Sequence, residues 1–115
     1  MRYSVFRSNL NFDATGGTAY FDADKIKYPL LLRRWKIGDY FYPLGLKKKH
    51  SDKPGKKKVS DLLTDKKLDI LQKENTWILL SGDQIIWVVG IRQDGRMAVS
   101  KSTKQLLKVT LAPLS

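Results

Sequence analysis

The first apolar and polar alternation, Tyr3-Ser4-Val5-Phe6-Arg7, predicts a strand that starts almost at the first residue, as in a chain cut from something longer. Gly16-Gly17 marks a turn, and Thr18-Ala19-Tyr20-Phe21-Asp22 reads as the next strand. Residues 23–28 fit either a helical turn or a loop. Pro29 then sets an extended lead into a strand over Leu30-Leu31-Leu32-Arg33-Arg34-Trp35.

The period changes at Val59. Val59, Leu62, Leu63 and the Lys66-Lys67 pair carry the i, i+3, i+4 spacing of a short amphipathic helix, with Ser60 as the expected N-cap, Asp61 in the first turn and an end near Leu68. A second helical turn is expected over residues 70–74. Trp77-Ile78-Leu79-Leu80 and Ile85-Ile86-Trp87-Val88-Val89 flank Ser81-Gly82-Asp83-Gln84 as a hairpin of two apolar strands. Neither strand alternates with polar residues, so both faces should be covered. Gly90 and Asp94-Gly95 punctuate the way to Met97-Ala98-Val99, Ser102-Thr103 marks a turn, and Leu106 to Leu111 alternates weakly as a closing strand before Pro113. The tally is about six strands and one main helix, an α+β pattern.

Length and composition fit one folded domain. A chain of 115 residues buries roughly 65% of the surface its unfolded form exposes, enough for a single core. Its 42% hydrophobic and 10% aromatic content argues against disorder despite 29% charged residues. The net charge of +11 exceeds the magnitude of about 2 to 8 that solubility alone asks of a small domain. Lys47, Lys48, Lys49, Lys53, Lys56, Lys57 and Lys58 face only Asp52 within their stretch, so more than half of that excess sits in one loop. Such clustering is the electrostatic footprint of a polyanion binder, nucleic acid first, against the plainer reading of a solvated lysine loop.

With no cysteine there is no disulfide and no thiolate metal site, which fits a reducing compartment. The apolar run from Ile85 to Val89 is far short of the ~20 residues of a membrane span. The opening stretch MRYSVFRSNLNF does not offer the apolar core of a signal peptide. A cytoplasmic protein without membrane contact is expected.

Catalytic chemistry is not legible in the chain. His50 stands alone in the lysine loop, and the carboxylates fall mostly at turns and caps, with none paired for acid/base work. Phosphate-loop, dinucleotide and pyrophosphatase glycine signatures are missing, so the expectation is a non-catalytic chain with no metal or cofactor of its own. Trp35, Tyr40, Phe41 and Tyr42 are core or corner residues first. As an alternative they could stack on unpaired bases at about 1 to 3 kcal/mol each, with Tyr40 the most exposed. Lys56, Lys57 and Lys58 precede a helix start, where the dipole disfavours cations by roughly 0.3 to 1 kcal/mol. That placement makes sense if they share a phosphate with the first-turn N–H groups, opposite Arg34 and Lys36.

The segments LLLRRWKIGDYFYPLGL and KKKVSDLLTDKKL resemble the C-terminal domain of bacterial tRNA(Ile)-lysidine synthetase. Arg33 or Arg34, Gly38, Asp39, Phe41, Pro43, Gly45 and Leu46 fall on that family's first element. Lys57, Lys58, Val59, Ser60, Asp61, Leu62, Leu63, Asp65 and Lys67 fall on its second. The IIWVVG strand and the Lys101-Ser102-Thr103-Lys104 turn extend the similarity over about Leu30 to Val109. Ile37 and Asp69 stand where the family usually has proline, and Tyr40 where it usually has arginine.

The resemblance implies a longer enzyme that uses ATP, with Mg, to join lysine to the wobble cytidine of an isoleucine tRNA. Its PP-loop catalytic domain would lie upstream, absent here. The resemblance further implies an α+β domain of layered, mostly antiparallel β-sheets with one main helix, similar to one in the phenylalanyl-tRNA synthetase β-chain, that helps recognise the acceptor stem. Partners would be tRNA(Ile) and the upstream domains of the same chain. Expected contacts are Arg33, Arg34, Lys36, Tyr40, Lys47, Lys48, Lys49, Lys56, Lys57, Lys58, Lys101 and Lys104. The alternatives are a general RNA- or ribosome-associated module and, more weakly, a module docking on an acidic protein.

Overall fold

The computed structural model describes the backbone of residues 2–7 and all of residues 17–110. In chain order come β1 (Arg2–Arg7), β2 (Thr18–Asp22), a 3-10 turn (Ala23–Lys25), β3 (Leu30–Arg34), β4 (Tyr40–Phe41) and β5 (Lys57–Lys58). Helix α1 (Val59–Asp65) and helix α2 (Ile70–Glu74) follow, then β6 (Trp77–Ser81), β7 (Gln84–Val88), β8 (Arg92–Gln93) and β9 (Gln105–Thr110). Gly16 of the expected turn, Leu111 of the closing strand and Pro113 lie outside the described residues.

Among the described residues three antiparallel sheets result, ordered β1-β9-β2, β3-β6-β7-β8 and β4-β5. The uninterrupted apolar runs of β6 and β7 place the four-stranded sheet in the middle. Leu79, Ile86 and Trp87 pack with Phe21, Leu107 and Val109 of the three-stranded sheet. On the opposite face Ile78, Leu80, Ile85 and Val88 pack with Phe41, Val59, Leu62 and Leu63. Both faces are covered, as the lack of alternation required. The register shifts between Leu79 and Leu80, leaving Ile86 as the extra residue of a bulge. Its carbonyl accepts the Asp94 N–H at 2.9 Å, which sets the position of a buried carboxylate.

All six expected strands are present, and residues 23–25 resolve as a helical turn capped by Asp22. The short strands β4, β5 and β8, two residues each, were not expected, because two residues carry no period.

The expected Ser60 N-cap is corrected to Lys58, which has extended φ −70° and ψ 140° and no capping side chain. Strand β5 runs straight into α1, so Ser60 lies inside the first turn as the second helical residue, and the Val59 N–H is taken by the Asp39 carbonyl at 3.0 Å. The helix also ends earlier, at Asp65. Lys67 turns left-handed (φ 56°), and the bonds from Lys67 N to Thr64 O and from Leu68 N to Leu63 O close a Schellman motif. Asp69, where the family usually has proline, caps α2 in a reciprocal box with Gln72. No helix among the described residues is long and apolar enough to cross a membrane.

Candidate nucleic-acid interface

The turn after β3 is built on one ion pair. Arg33 donates from Nη1 and Nη2 to the two Asp39 carboxylate oxygens at 3.0 and 2.9 Å, and the Lys36 N–H adds a third bond at 2.7 Å. Burial alone would push the Asp39 carboxyl up, but the Arg33 hydrogen bond, the Lys36 N–H and both neighbouring cations outweigh it and hold the group below its usual range. The same bond to Asp39 raises Arg33, against the effect of its partial burial. Arg33 is therefore the arginine that serves the Gly38-Asp39 turn, and Arg34 is the exposed one. The Arg34 guanidinium lies 5.4 Å from the centroid of the Trp77 ring. Lys36 is exposed on the turn itself.

Strand β4 leaves that turn and pairs Tyr40 with Lys58 and Phe41 with Lys57. Alternation across so short a ribbon sends Phe41, fully buried, into the core and leaves Tyr40 45% exposed. Tyr40 is the most exposed of the four aromatics between residues 35 and 42. The Lys56 ammonium stands 3.9 Å from its ring centroid, and Tyr42 meets it edge-on with centroids 6.2 Å apart. Lys58 points outward, whereas the Lys57 ammonium is ion-paired with Asp65. At the helix start, then, the Val59 N–H and the Lys57 ammonium are both engaged within the protein.

The lysine loop is an ordered hairpin. Gly55 N–H donates to the Leu46 carbonyl, Lys48 N–H to Lys53 and Ser51 N–H to Lys48, with His50 at positive φ at the bend. Gly55 sits in a close approach of the two arms, where a Cβ would lie 3.0 Å from the Leu46 side chain and 3.1 Å from the Lys47 backbone and would force a neighbour to shift by a few tenths of an ångström. Lys47, Lys48 and Lys49 are exposed, and the Lys47–Asp52 approach of 3.9 Å joins two solvated groups. Lys101 and Lys104 are exposed on a separate turn, pinned to the three-stranded sheet by the bond from Thr103 to buried Asp22.

A further pair was not legible in the sequence. Asp94, fully buried, accepts from the Tyr42 and Arg96 N–H groups and from the Arg96 guanidinium, which lies 4.3 Å from the Tyr42 ring centroid. Asp94-Gly95 looks like an ordinary turn; only the bulge at Ile86 and the bridge from Pro43 to Asp94 bring it under the aromatic corner. Between this pair and the Arg33–Asp39 pair opens a cleft of about 250 Å³, lined by Arg33, Gly38, Asp39, Tyr40, Leu80, Asp83, Gln84, Ile85 and Arg96. Among the described residues no group of three or more His, Cys, Asp or Glu side chains is placed to hold a metal.

The family described as the TilS substrate C-terminal domain matches residues 30–109, from the first residue of β3 to within one residue of the end of β9. The chain belongs to this family. Relatives of the TilS C-terminal domain family include the tRNA(Ile)-lysidine synthase of Parabacteroides distasonis, 50% identical over 91 residues. That alignment covers 79% of this chain and 19% of the relative, so the chain spans about a fifth of the curated relative's length. Among solved structures, a TILS C-terminal domain superposes with a TM-score of 0.70 at 19% identity, covering 98% of this chain and 86% of that one. An N-terminal fragment of the Pyrococcus horikoshii phenylalanyl-tRNA synthetase β-subunit gives 0.63 at 21% identity, covering 79% of this chain and 26% of that one. Both likenesses bear on the fold, which is the expected arrangement of mostly antiparallel sheets with few helices.

Proposed function

We propose that this chain is the tRNA-recognition part of a tRNA(Ile)-lysidine synthase and takes no part in the chemistry itself. The observation that carries the reading is that the family match over residues 30–109 encloses the whole lysine hairpin. The most cationic feature of the chain thus lies inside the family's domain and is not an appendage to it. In the full protein an upstream PP-loop domain would use ATP and Mg to join lysine to the wobble cytidine. The acceptor stem would lie against Lys47, Lys48, Lys49, Lys56 and Lys58, whose exposure leaves them free to displace counterions from phosphates.

The test is binding of this chain to tRNA(Ile) and to an unrelated tRNA across a salt series. Tighter binding to tRNA(Ile), weakening steeply with salt, is expected. Equal binding to both would favour a general RNA-binding module, and no binding to either would end the reading. ATP–pyrophosphate exchange with lysine and tRNA present is expected to give no turnover on this chain. A PP-loop reading frame immediately upstream in the same gene is the matching genetic expectation.

A further inference from the structure

The cleft between the two arginine–aspartate pairs differs chemically from the rest of the molecule. In a chain of net charge +11 it carries no positive excess. Arg33 and Arg96 are each matched by a buried partner, Asp39 and Asp94, and exposed Asp83 adds a carboxylate at the rim. A phosphate gains nothing from such a site. Hydrogen-bonding capacity nevertheless remains. The Arg96 guanidinium uses Nε and Nη2 on Asp94, and among the described residues nothing accepts from its Nη1. The Asp83 carboxylate and the Gln84 amide likewise have no partner among those residues. Tyr40, 45% exposed, is the aromatic residue of the lining, and the exposed Lys56, outside the lining, holds its ammonium 3.9 Å from the Tyr40 ring centroid. The volume of about 250 Å³ is below the roughly 300 to 1,000 Å³ of sites for drug-sized ligands, so a small planar group fits better than a whole nucleotide.

We infer that this cleft takes one unpaired nucleobase of the bound RNA, a guanine, with the adjoining phosphate outside on Lys56. Guanine alone among the bases joins an acceptor pair, O6 and N7, that suits an arginine to an N1–H and N2–H₂ donor edge that suits a carboxylate. Unpaired bases splayed onto aromatic side chains are also the common target of sequence-specific RNA recognition. The inference rests on the RNA-binding reading above and goes beyond it by giving a base-reading role to Arg96, Asp83 and Gln84.

The experiment titrates isotope-labelled chain, followed residue by residue by NMR, with GMP, CMP, inorganic phosphate and tRNA(Ile) at matched ionic strength. GMP is expected to move the amide signals of Gly38, Tyr40, Gln84 and Arg96 and to saturate at about tenfold lower concentration than CMP, the discrimination of one good base contact. Phosphate alone should leave these signals in place. Asp83→Ala, at an exposed hairpin position, should abolish the preference with the rest of the spectrum intact. GMP and CMP titrating alike, a response to phosphate alone, or shifts confined to the lysine hairpin would overturn the inference, while tRNA binding in the same series would leave the RNA-binding reading standing. A guanine response without tRNA binding would keep the cleft and overturn that reading. Silence toward every probe would overturn both.

Discussion

The lysine hairpin over residues 46–55 and the corner formed by Arg33, Asp39, Asp94 and Arg96 are both rich in cations, yet they use them in opposite ways. In the corner each guanidinium is fixed by a largely buried carboxylate, and the pair orients the backbone around it. In the hairpin the backbone closes on its own bonds, and the ammonium groups of Lys47, Lys48 and Lys49 extend into solvent. Cations bound into the fold are poor at displacing counterions, and solvated ones add little to stability. Stability and RNA affinity should therefore separate cleanly between the two regions.

The largest effect is expected at Asp94. Replacing it with Ala strips the Tyr42 and Arg96 N–H groups of their acceptor and leaves a half-buried guanidinium unpaired. A loss of about 3 kcal/mol or more follows, a large share of the 5 to 15 kcal/mol typical of a domain. Urea denaturation measures it, and a shift below about 1 kcal/mol would show that the pair does not organise the corner.

Arg33→Ala comes next, at about 2 kcal/mol, because Asp39 keeps the Lys36 N–H as a partner. This pair also has a pH signature. The Asp39 carboxyl is held below its ordinary value, so its stabilisation is complete above the unfolded value of about 3.9 and is lost as pH falls through the lower folded value. Asp39→Asn should be less stable than the parent at neutral pH, with the two curves converging in acid. Parallel curves down to the acid limit would remove Asp39 as the source.

How much of this was legible beforehand depends on the kind of signal. Long apolar runs such as Ile85 to Val89 imposed their own burial, so the six long strands and the covered central sheet follow from pattern alone. Two-residue strands have no period, and β4 and β5 exist because Tyr40 and Phe41 find Lys58 and Lys57 across a long loop. The motif segments carried the family, and Tyr40 stood out correctly as the exposed aromatic. Arg96 did not stand out, because its importance comes from the bulge at Ile86 and from residues distant in sequence. Net charge gave equal weight to every cation, although burial and ion pairing divide them.

The hairpin offers the converse test. Replacing Lys47, Lys48 and Lys49 together with Ala should change stability by no more than about 0.5 kcal/mol. The same variant should weaken binding to tRNA(Ile) and to an unrelated tRNA about equally. It should also flatten log affinity against log salt by up to about 0.9 for each duplex phosphate that these lysines no longer neutralise. An unchanged slope would make these lysines bystanders.

The sharpest division is expected between two adjacent residues. Lys57 and Lys58 form one strand and have the same formal charge, but the Lys57 ammonium is paired with Asp65 while Lys58 faces solvent. Lys57→Glu would set two carboxylates against each other at the flank of α1 and should cost roughly 0.5 to 1 kcal/mol, the scale of a surface ion pair replaced by a like-charge pair. Lys58→Glu puts a carboxylate at the N-cap of α1, where the helix dipole favours it by roughly 0.3 to 1 kcal/mol. Stability should therefore move in opposite directions. Affinity for tRNA should fall more for Lys58→Glu, whose ammonium is free to meet a phosphate, than for Lys57→Glu. Thermal melts and a tRNA titration on the two variants decide it. Equal losses of affinity would mean that the Lys57–Asp65 pair opens when RNA binds, making Lys57 as much a part of the RNA-facing surface as its neighbour.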